Sequence, residues 1–526
     1  MKSIVNKGYN THHHKRKEFY HGVSRRRNDF RIKNSVFLRV LCGFFILKFT
    51  VLYNTAGKAL KKFLIAAVLA GFICPFLNAQ DGVNSISSNG GASAAAQPSQ
   101  NAIEASRMAT IKYGTETEIA ELIQTLKNEK SDYLDDELAA LIEGTRNQKI
   151  LSGVFSFFAD REKSGLEDRA LRAINERDLE NGETVLSAID YLGRVKAGQA
   201  EETLKEVLNS QERRLMNAAF RALGQVSRAG QSEGEDAGEF LIDYYTNRDP
   251  GDENRRDIIA AIGETGSAQG VSFLSSIALD NDERVPLRMA ALDSLAKIGN
   301  PDGLEAVLAA VSANNPNVRS SAVAALGPFS GEKVESSILE AFRDSYYRTR
   351  IAAAQASRER KLETAIPYLK FRAERDEVPQ VKEEAIRALG AIGTDETLEI
   401  LNSLFIERKN SERVRMAAAE ALMKNAPDRY LSQLIIELDE AKTKNLTPLY
   451  NGFLKILGEA RGAANFESIA RRLLQSGGVV EKSYAMDMAA NNNLAGLSDE
   501  LKKLTQDKNE GLARKARRTL EKLGIE

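Results

Sequence analysis

The sequence predicts an all-α protein, an α-solenoid in which antiparallel helix pairs stack into a superhelix. Two observations predict this class. A short motif returns along most of the chain at a near-constant interval, and the residues around each copy follow helical periodicity. A chain of 526 residues, 43% of them hydrophobic, needs several domains or a repeat array, and the repetition favours the array.

The repeated motif is clearest in the segment 385–393, which reads Ala-Ile-Arg-Ala-Leu-Gly-Ala-Ile-Gly. We take the Gly of Ala-Leu-Gly as the marker of each copy, and successive markers lie 30 to 39 residues apart. About eleven units therefore fill residues 183–526. The eleven marker positions are Gly193, Gly224, Gly263, Ala296, Gly327, Ser357, Gly390, Met423, Gly458, Ala490 and Glu521.

The unit at 379–411 shows why each repeat is predicted to be two helices. Apolar residues recur at helical spacing from Val381 to Ile392, and Gly393 can end that helix in the left-handed conformation. Thr394 can then cap a second helix that carries an apolar stripe up to Phe405. Two short amphipathic helices cannot bury these stripes alone, so successive pairs are expected to stack.

Three copies of the motif resemble the HEAT repeat family, in particular the short bacterial repeats of the phycocyanobilin-lyase type. The residues are Val318-Arg319 with Ala325-Leu326-Gly327, Val381-Lys382 with Ala388-Leu389-Gly390, and Val414-Arg415 with Ala421-Leu422. The resemblance covers residues 183–526. It implies the solenoid fold, and nothing in these residues points to a bilin.

Basic residues recur at one position of the repeat: Arg319, Arg350, Lys382 and Arg415. They could form a ladder that binds anions. The resemblance implies instead that they bond to neighbouring repeats or to loop carboxylates.

Residues 111–182 are also helical by pattern but keep poorer register. Apolar residues follow helical spacing from Ile119 to Leu126 and again from Leu134 to Ile142. This region is either a set of degenerate opening repeats or a capping element, because terminal repeats usually deviate.

The first 110 residues differ in composition from the array. A basic leader at 1–59 is followed by a segment at 60–79 with the three parts of a signal peptide: Lys61 and Lys62, an apolar run from Phe63 to Phe72, and Ala79 before a cut at Gln80. Residues 80–110 begin with Gly, Ser, Ala, Asn and Gln in low-complexity order, which is typical of a flexible linker.

The position of this signal is unusual, since a signal peptide should begin the protein. One hypothesis places the true start codon at position 60, so that 1–59 is not translated. The alternative is that an apolar stretch at 36–53 anchors the chain in a membrane. Cys74 is a weak candidate for lipidation, because Phe72 and Ile73 precede it where small residues are expected. We expect an exported protein of the periplasm or cell envelope.

The charge distribution and the absence of certain residue types from the array disfavour some classes of function. Residues 1–79 hold 15 of the 73 Lys and Arg but only two of the 73 acidic residues, so the rest of the chain has a net charge of −13. An acidic body disfavours nucleic-acid partners. All four His and both Cys lie before position 80, which removes the commonest metal and acid–base designs. No cofactor is therefore expected.

The candidate contact residues are an acidic insertion at 231–239 and two tyrosine pairs. Insertions in solenoids form loops that often belong to the binding face, although a solvated acidic loop is the plainer interpretation. One tyrosine of each pair is expected in the core and the other at a surface. The candidates are Glu233, Glu235, Asp236, Glu239, Tyr244, Tyr245, Tyr346 and Tyr347.

The sequence thus favours a non-catalytic exported scaffold that binds a protein or peptide. A membrane is expected to be involved only through the leader, if it is retained. The alternative is an enzyme or enzyme subunit that acts on an envelope glycan through carboxylates of the 111–180 region. Such an enzyme needs two acids about 5 to 9.5 Å apart across a cleft.

Overall fold

The computed structural model describes residues 100–227, 237–248, 250–462 and 465–525. These ranges form 26 α-helices joined by turns and four short 3-10 segments, with no strand among them. The prediction of an all-α protein is confirmed. The leader, the signal segment with Ala79 and Gln80, and most of the linker lie outside the described residues.

We number the helices α1 to α26 in chain order. They are α1 Gln100–Tyr113, α2 Glu116–Glu129, α3 Asp135–Gly144, α4 Gln148–Asp160, α5 Glu167–Asn175, α6 Gly182–Arg194, α7 Glu201–Asn209, α8 Arg213–Ser227, α9 Ala237–Asn247, α10 Asp252–Thr265, α11 Ala268–Leu279, α12 Val285–Ile298, α13 Leu304–Ala310, α14 Pro316–Ala325, α15 Glu332–Ala341, α16 Tyr347–Arg360, α17 Ile366–Arg375, α18 Pro379–Ile392, α19 Asp395–Ile406, α20 Glu412–Asn425, α21 Pro427–Thr443, α22 Thr447–Glu459, α23 Phe466–Ser476, α24 Val479–Asn491, α25 Ser498–Leu504 and α26 Glu510–Lys522.

The helices form two layers. Each even-numbered helix packs against the next even-numbered helix, without interruption from α2 to α26. Each odd-numbered helix packs against the even-numbered helix that follows it. The eleven markers fall on, or directly after, the eleven even helices α6 to α26. Helices α2 and α4 extend the even layer, which favours opening repeats over a separate cap for residues 111–182.

The marker glycines let neighbouring even helices approach closely. A Cβ built on Gly224 would lie 2.6 Å from the backbone oxygen of Ala261 on the next even helix. A Cβ on Gly263 would lie 2.6 Å from the Cβ of Ser294. Real Cβ atoms do not come this near to other heavy atoms, so glycine is a packing requirement at these two markers.

The predicted helix ends are found in the unit at 379–411. Gly393 ends α18 with φ of 70°. The Thr394 side chain then accepts a hydrogen bond from the Thr397 amide as the N-cap of α19. Pro379 lies in the first turn of α18, where its missing N–H costs little.

The apolar stripes meet in one continuous core between the layers. Ile119 and Leu126 of α2 are buried, as are Leu134 and Ile142, in agreement with the spacing predicted for the N-terminal region. Within the described ranges, no helix combines the length and apolarity needed to cross a bilayer.

Candidate functional site

The recurring basic residues bind neighbouring repeats rather than an open surface. Arg319 donates to both carboxylate oxygens of Asp344, at 2.7 and 3.0 Å, and to two carbonyls of its own loop. Arg350 repeats this pattern one unit later, with Asp376 at 2.7 and 2.8 Å. Each guanidinium thus joins the loop before its own helix to a carboxylate in the loop before the next even helix.

The other two members of this series keep the position but change the partner. Arg415 donates to the Phe405 carbonyl and to Glu437. Lys382 donates to the Glu374 carbonyl at 2.9 Å. Arg288, which the sequence reading missed, donates to the Ala278 carbonyl and to Asn281. The sequence contains the pattern that would have found it: Arg288 lies eight residues before the marker Ala296, as Arg319 lies eight residues before Gly327.

The two aspartates of the ladder stay ionised although they are partly or fully buried. Burial by itself would raise the pKa of Asp344, but hydrogen bonds from Arg319 and from the Tyr346 amide bring the pKa below its ordinary value. The pKa of Asp376 is lowered against burial in the same way, by Arg350 and the Val378 amide. The ladder is therefore a set of satisfied buried ion pairs, unsuited to hold an external anion.

The first tyrosine pair does not provide a surface contact. Tyr244 and Tyr245 are both buried, at 2% and 9% exposure, whereas one surface residue was predicted. The Tyr244 ring packs edge-on against Phe220, and the Tyr245 ring packs edge-on against Phe273. Two consecutive residues of α9 can both be buried because one faces the preceding repeat and the other faces the following one.

The second pair lies at the start of α16. Tyr346 and Tyr347 are both half-buried and pack edge-on, with ring centroids 5.3 Å apart. The Tyr346 hydroxyl donates to Asn317 at 2.8 Å, so this ring is tied to the preceding repeat. The Tyr347 hydroxyl accepts from Arg348. The pair retains some accessible surface but is mainly part of an inter-repeat contact.

The acidic insertion is described only at its end. Glu233, Glu235 and Asp236 lie outside the described residues. Glu239 is exposed in the first turn of α9.

Exposed apolar side chains distinguish the two layers, which the sequence reading did not anticipate. Among large apolar residues on described helices, the exposed ones lie on odd helices, except for Val479 and Val480 in the first turn of α24. Those on odd helices are Ile103, Met108 and Tyr113 of α1, Leu279 of α11, Phe371 of α17, Ile406 of α19 and Ile436 of α21. Phe371 and Ile436 are 51% and 57% exposed.

An open groove of about 680 Å³ lies on the same odd layer, between α13 and α15. Leu308 and Ala309 line one side, and Ser336 and Ser337 line the other. Glu305, Glu332 and Lys333 stand at its edges. The odd layer therefore offers a mixture of apolar area and hydroxyl groups, as protein interfaces do.

The even layer presents a charged face that is largely paired across repeats. Asp487 of α24 bonds to Lys515 of α26 at 2.7 Å, and Glu383 of α18 bonds to Arg413 of α20 at 2.7 Å. Lys297 of α12 bonds to Glu264 of α10. These pairs satisfy much of the charge on this face within the array.

One acidic residue of the 111–180 region, Glu162, lines a surface groove together with Asp190 and Glu264. In that groove Asp190 bonds to Arg194 and Arg221.

The stacked helix pairs and the inter-repeat ladder define an α-solenoid of the HEAT type. The chain belongs to the Spirochaete HEAT repeat protein family, whose profile matches residues 111–519. No curated protein matches the chain.

The chain is also similar to solved structures of karyopherins. A crystal structure of a Kap121p mutant is 14% identical with a TM-score of 0.42, and the match covers 91% of this chain and 56% of that one. A structure of Kap95p with RanGDP is 14% identical with a TM-score of 0.45, covering 81% and 60%. This chain therefore spans little more than half of these neighbours.

Proposed function

We propose that this protein is an exported, non-catalytic scaffold, which binds a protein or peptide of the cell envelope through the odd layer between α11 and α21. The observation that carries the proposal is the exposure of Phe371 on α17, Ile406 on α19 and Ile436 on α21, three successive helices of the layer that also holds the groove between α13 and α15. Apolar side chains exposed on consecutive repeats indicate an interaction surface. The signal-like segment at 60–79 supports export.

Site-specific photo-crosslinking tests the surface. A photoreactive phenylalanine analogue is placed at Phe371 or at Ile436, and as a matched control at Asn451 or Lys455, which are exposed on even helix α22. Irradiation in cells should join the odd-layer probes to one discrete envelope protein, and the α22 probes should not yield that product. Equal products from both layers, or none from Phe371 and Ile436, would contradict the proposal.

Export is tested separately by fractionating the cells and sequencing the N-terminus of the native protein. We expect the chain in the envelope fraction with an N-terminus at Gln80. A cytoplasmic chain that begins near Met1 would refute export while leaving the binding surface untouched.

A further inference from the structure

The C-terminal helix α26 carries a row of unpaired cations. Arg514, Arg518 and Lys522 are all exposed and four residues apart, so they lie on one stripe of the helix. Their side chains make no ion pair or hydrogen bond with any described residue. Like charges at this spacing repel one another, so the stripe costs helix stability in the free protein.

No even helix from α18 to α24 repeats this feature. At the three equivalent positions, each of them carries at most one basic residue. The equivalent residues are Glu383, Arg387 and Ala391 on α18, Met416, Glu420 and Lys424 on α20, Asn451, Lys455 and Glu459 on α22, and Ser483, Asp487 and Asn491 on α24. The row of cations is therefore a property of the last helix and does not follow from the repeat pattern.

The stripe borders a groove of about 410 Å³ between α24 and α26. Lys515 and Asp487 also line the groove, but they form an ion pair at 2.7 Å, so their opposite charges cancel. Three uncompensated positive charges remain along one wall. We propose that this groove binds an acidic peptide segment of a partner protein, in extended conformation, with carboxylates at alternate residues.

The spacing of the charges supports an extended peptide. Four residues of helix rise by about 6 Å. Two residues of an extended chain advance by about 6.6 Å, so Glu or Asp at every second position meets successive cations of the stripe. Arginine can donate two parallel hydrogen bonds to one carboxylate, which adds geometric selectivity.

The surroundings disfavour the other polyanions. The chain after position 79 has a net charge of −13, which repels a long nucleic acid but tolerates a short segment with three carboxylates. The stripe holds three unpaired cations, whereas helices that bind anionic lipid typically present about four to eight basic residues.

The test uses the full chain and a fluorescein-labelled peptide, Gly-Glu-Gly-Glu-Gly-Glu-Gly, followed by fluorescence anisotropy. The triple variant Arg514→Gln, Arg518→Gln and Lys522→Gln should lose affinity at least tenfold. The matched control replaces three exposed lysines outside both proposed surfaces, Lys149→Gln, Lys196→Gln and Lys424→Gln, and should bind as the wild type does. Both variants keep the basic leader and lose three positive charges. A difference in peptide affinity between them therefore measures the contribution of the stripe.

Equal losses in the two variants would show a bulk charge effect and overturn the site. A peptide with its three glutamates adjacent should bind several-fold more weakly, and equal affinity would overturn the extended register. If the stripe variant loses binding to single-stranded DNA or to phosphatidylglycerol vesicles while peptide binding is unchanged, the acidic-peptide partner is refuted. The thermal midpoint of the stripe variant should equal or exceed that of the wild type, because repulsion is relieved.

This site does not depend on the odd-layer surface. The stripe variant leaves Phe371 and Ile436 unchanged, so crosslinking from those positions and peptide binding at α26 can fail separately.

Discussion

The even and odd layers are built from the same repeats, yet they differ in what they leave exposed. The even helices approach so closely that Gly224 and Gly263 cannot gain a methyl group without a clash, and their outer charges pair across repeats. The odd helices leave Phe371 and Ile436 half-exposed. The comparison shows that the even layer joins successive repeats by close packing and ion pairs, whereas the odd layer leaves apolar side chains uncovered.

The buried pair between Arg350 and Asp376 is the most sensitive point of the even-helix contacts. The Asp376 side chain is 0% exposed and that of Arg350 is 10% exposed, so Arg350→Ala leaves a buried carboxylate with only Arg372 and the Val378 amide as partners. We expect a loss of about 3 kcal/mol in the free energy of unfolding, measured by urea denaturation. The control Arg343→Ala breaks a pair with Glu340 in which the two side chains are 60% and 68% exposed, and it should leave the free energy of unfolding nearly unchanged. Similar losses in the two variants would show that the ladder does not hold repeats together.

The close approach of the even helices can be tested at Gly224. Alanine normally stabilises a helix interior by about 0.5 to 1 kcal/mol relative to glycine. Gly224→Ala should instead destabilise by about 1 to 3 kcal/mol, because the new Cβ meets the backbone of Ala261. Gly153→Ala in α4 is the matched control, since its nearest neighbour would be 3.6 Å away, and it should raise the urea midpoint. A gain at both positions would contradict the packing argument.

The ladder also predicts a pH dependence. The pKa of Asp376 lies below its ordinary value of 3.8 in the folded chain, so its contribution to stability is complete above that value. The contribution is lost as the pH falls through the lowered folded pKa. The difference in urea midpoint between the wild type and Asp376→Asn should therefore be constant from pH 7 to about pH 5 and shrink toward pH 3. A difference that grows on acidification would refute the ionised pair.

The smallest stability effect is expected on the odd layer. Phe371→Ser and Ile436→Ser should change the free energy of unfolding by no more than about 0.5 kcal/mol, because neither side chain is fully packed. The same changes should weaken partner binding, measured by pulldown with the envelope protein found by crosslinking. Leu369→Ser, at a fully buried position of α17, should destabilise by several kcal/mol in the same assay. A large loss of stability at Phe371 would assign it to the core instead.

Helical periodicity predicted the repeats well because each helix buries its own stripe. Val381 and Leu389 are buried as their spacing requires, and the role of Arg319 was implied by family resemblance. Periodicity gave no means of finding the exposure of Phe371, because that depends on how much of α17 the neighbouring odd helices cover. Tyr244 and Tyr245 show the opposite failure, in which residues expected partly at the surface are buried. The neighbouring repeats on both sides of α9 cover these two consecutive residues.

The ladder of guanidinium groups also concentrates cooperativity in the middle of the array. Arg288, Arg319, Arg350 and Arg415 join the central repeats. Tyr450 takes the equivalent place on α22, and Val185 and Met216 take it on α6 and α8. In a linear stack, cooperativity is set by the coupling between adjacent units. We therefore expect the central repeats to melt as one block and the repeats at both ends of the described array to fray first, with amide hydrogen exchange fastest toward α2 and α26.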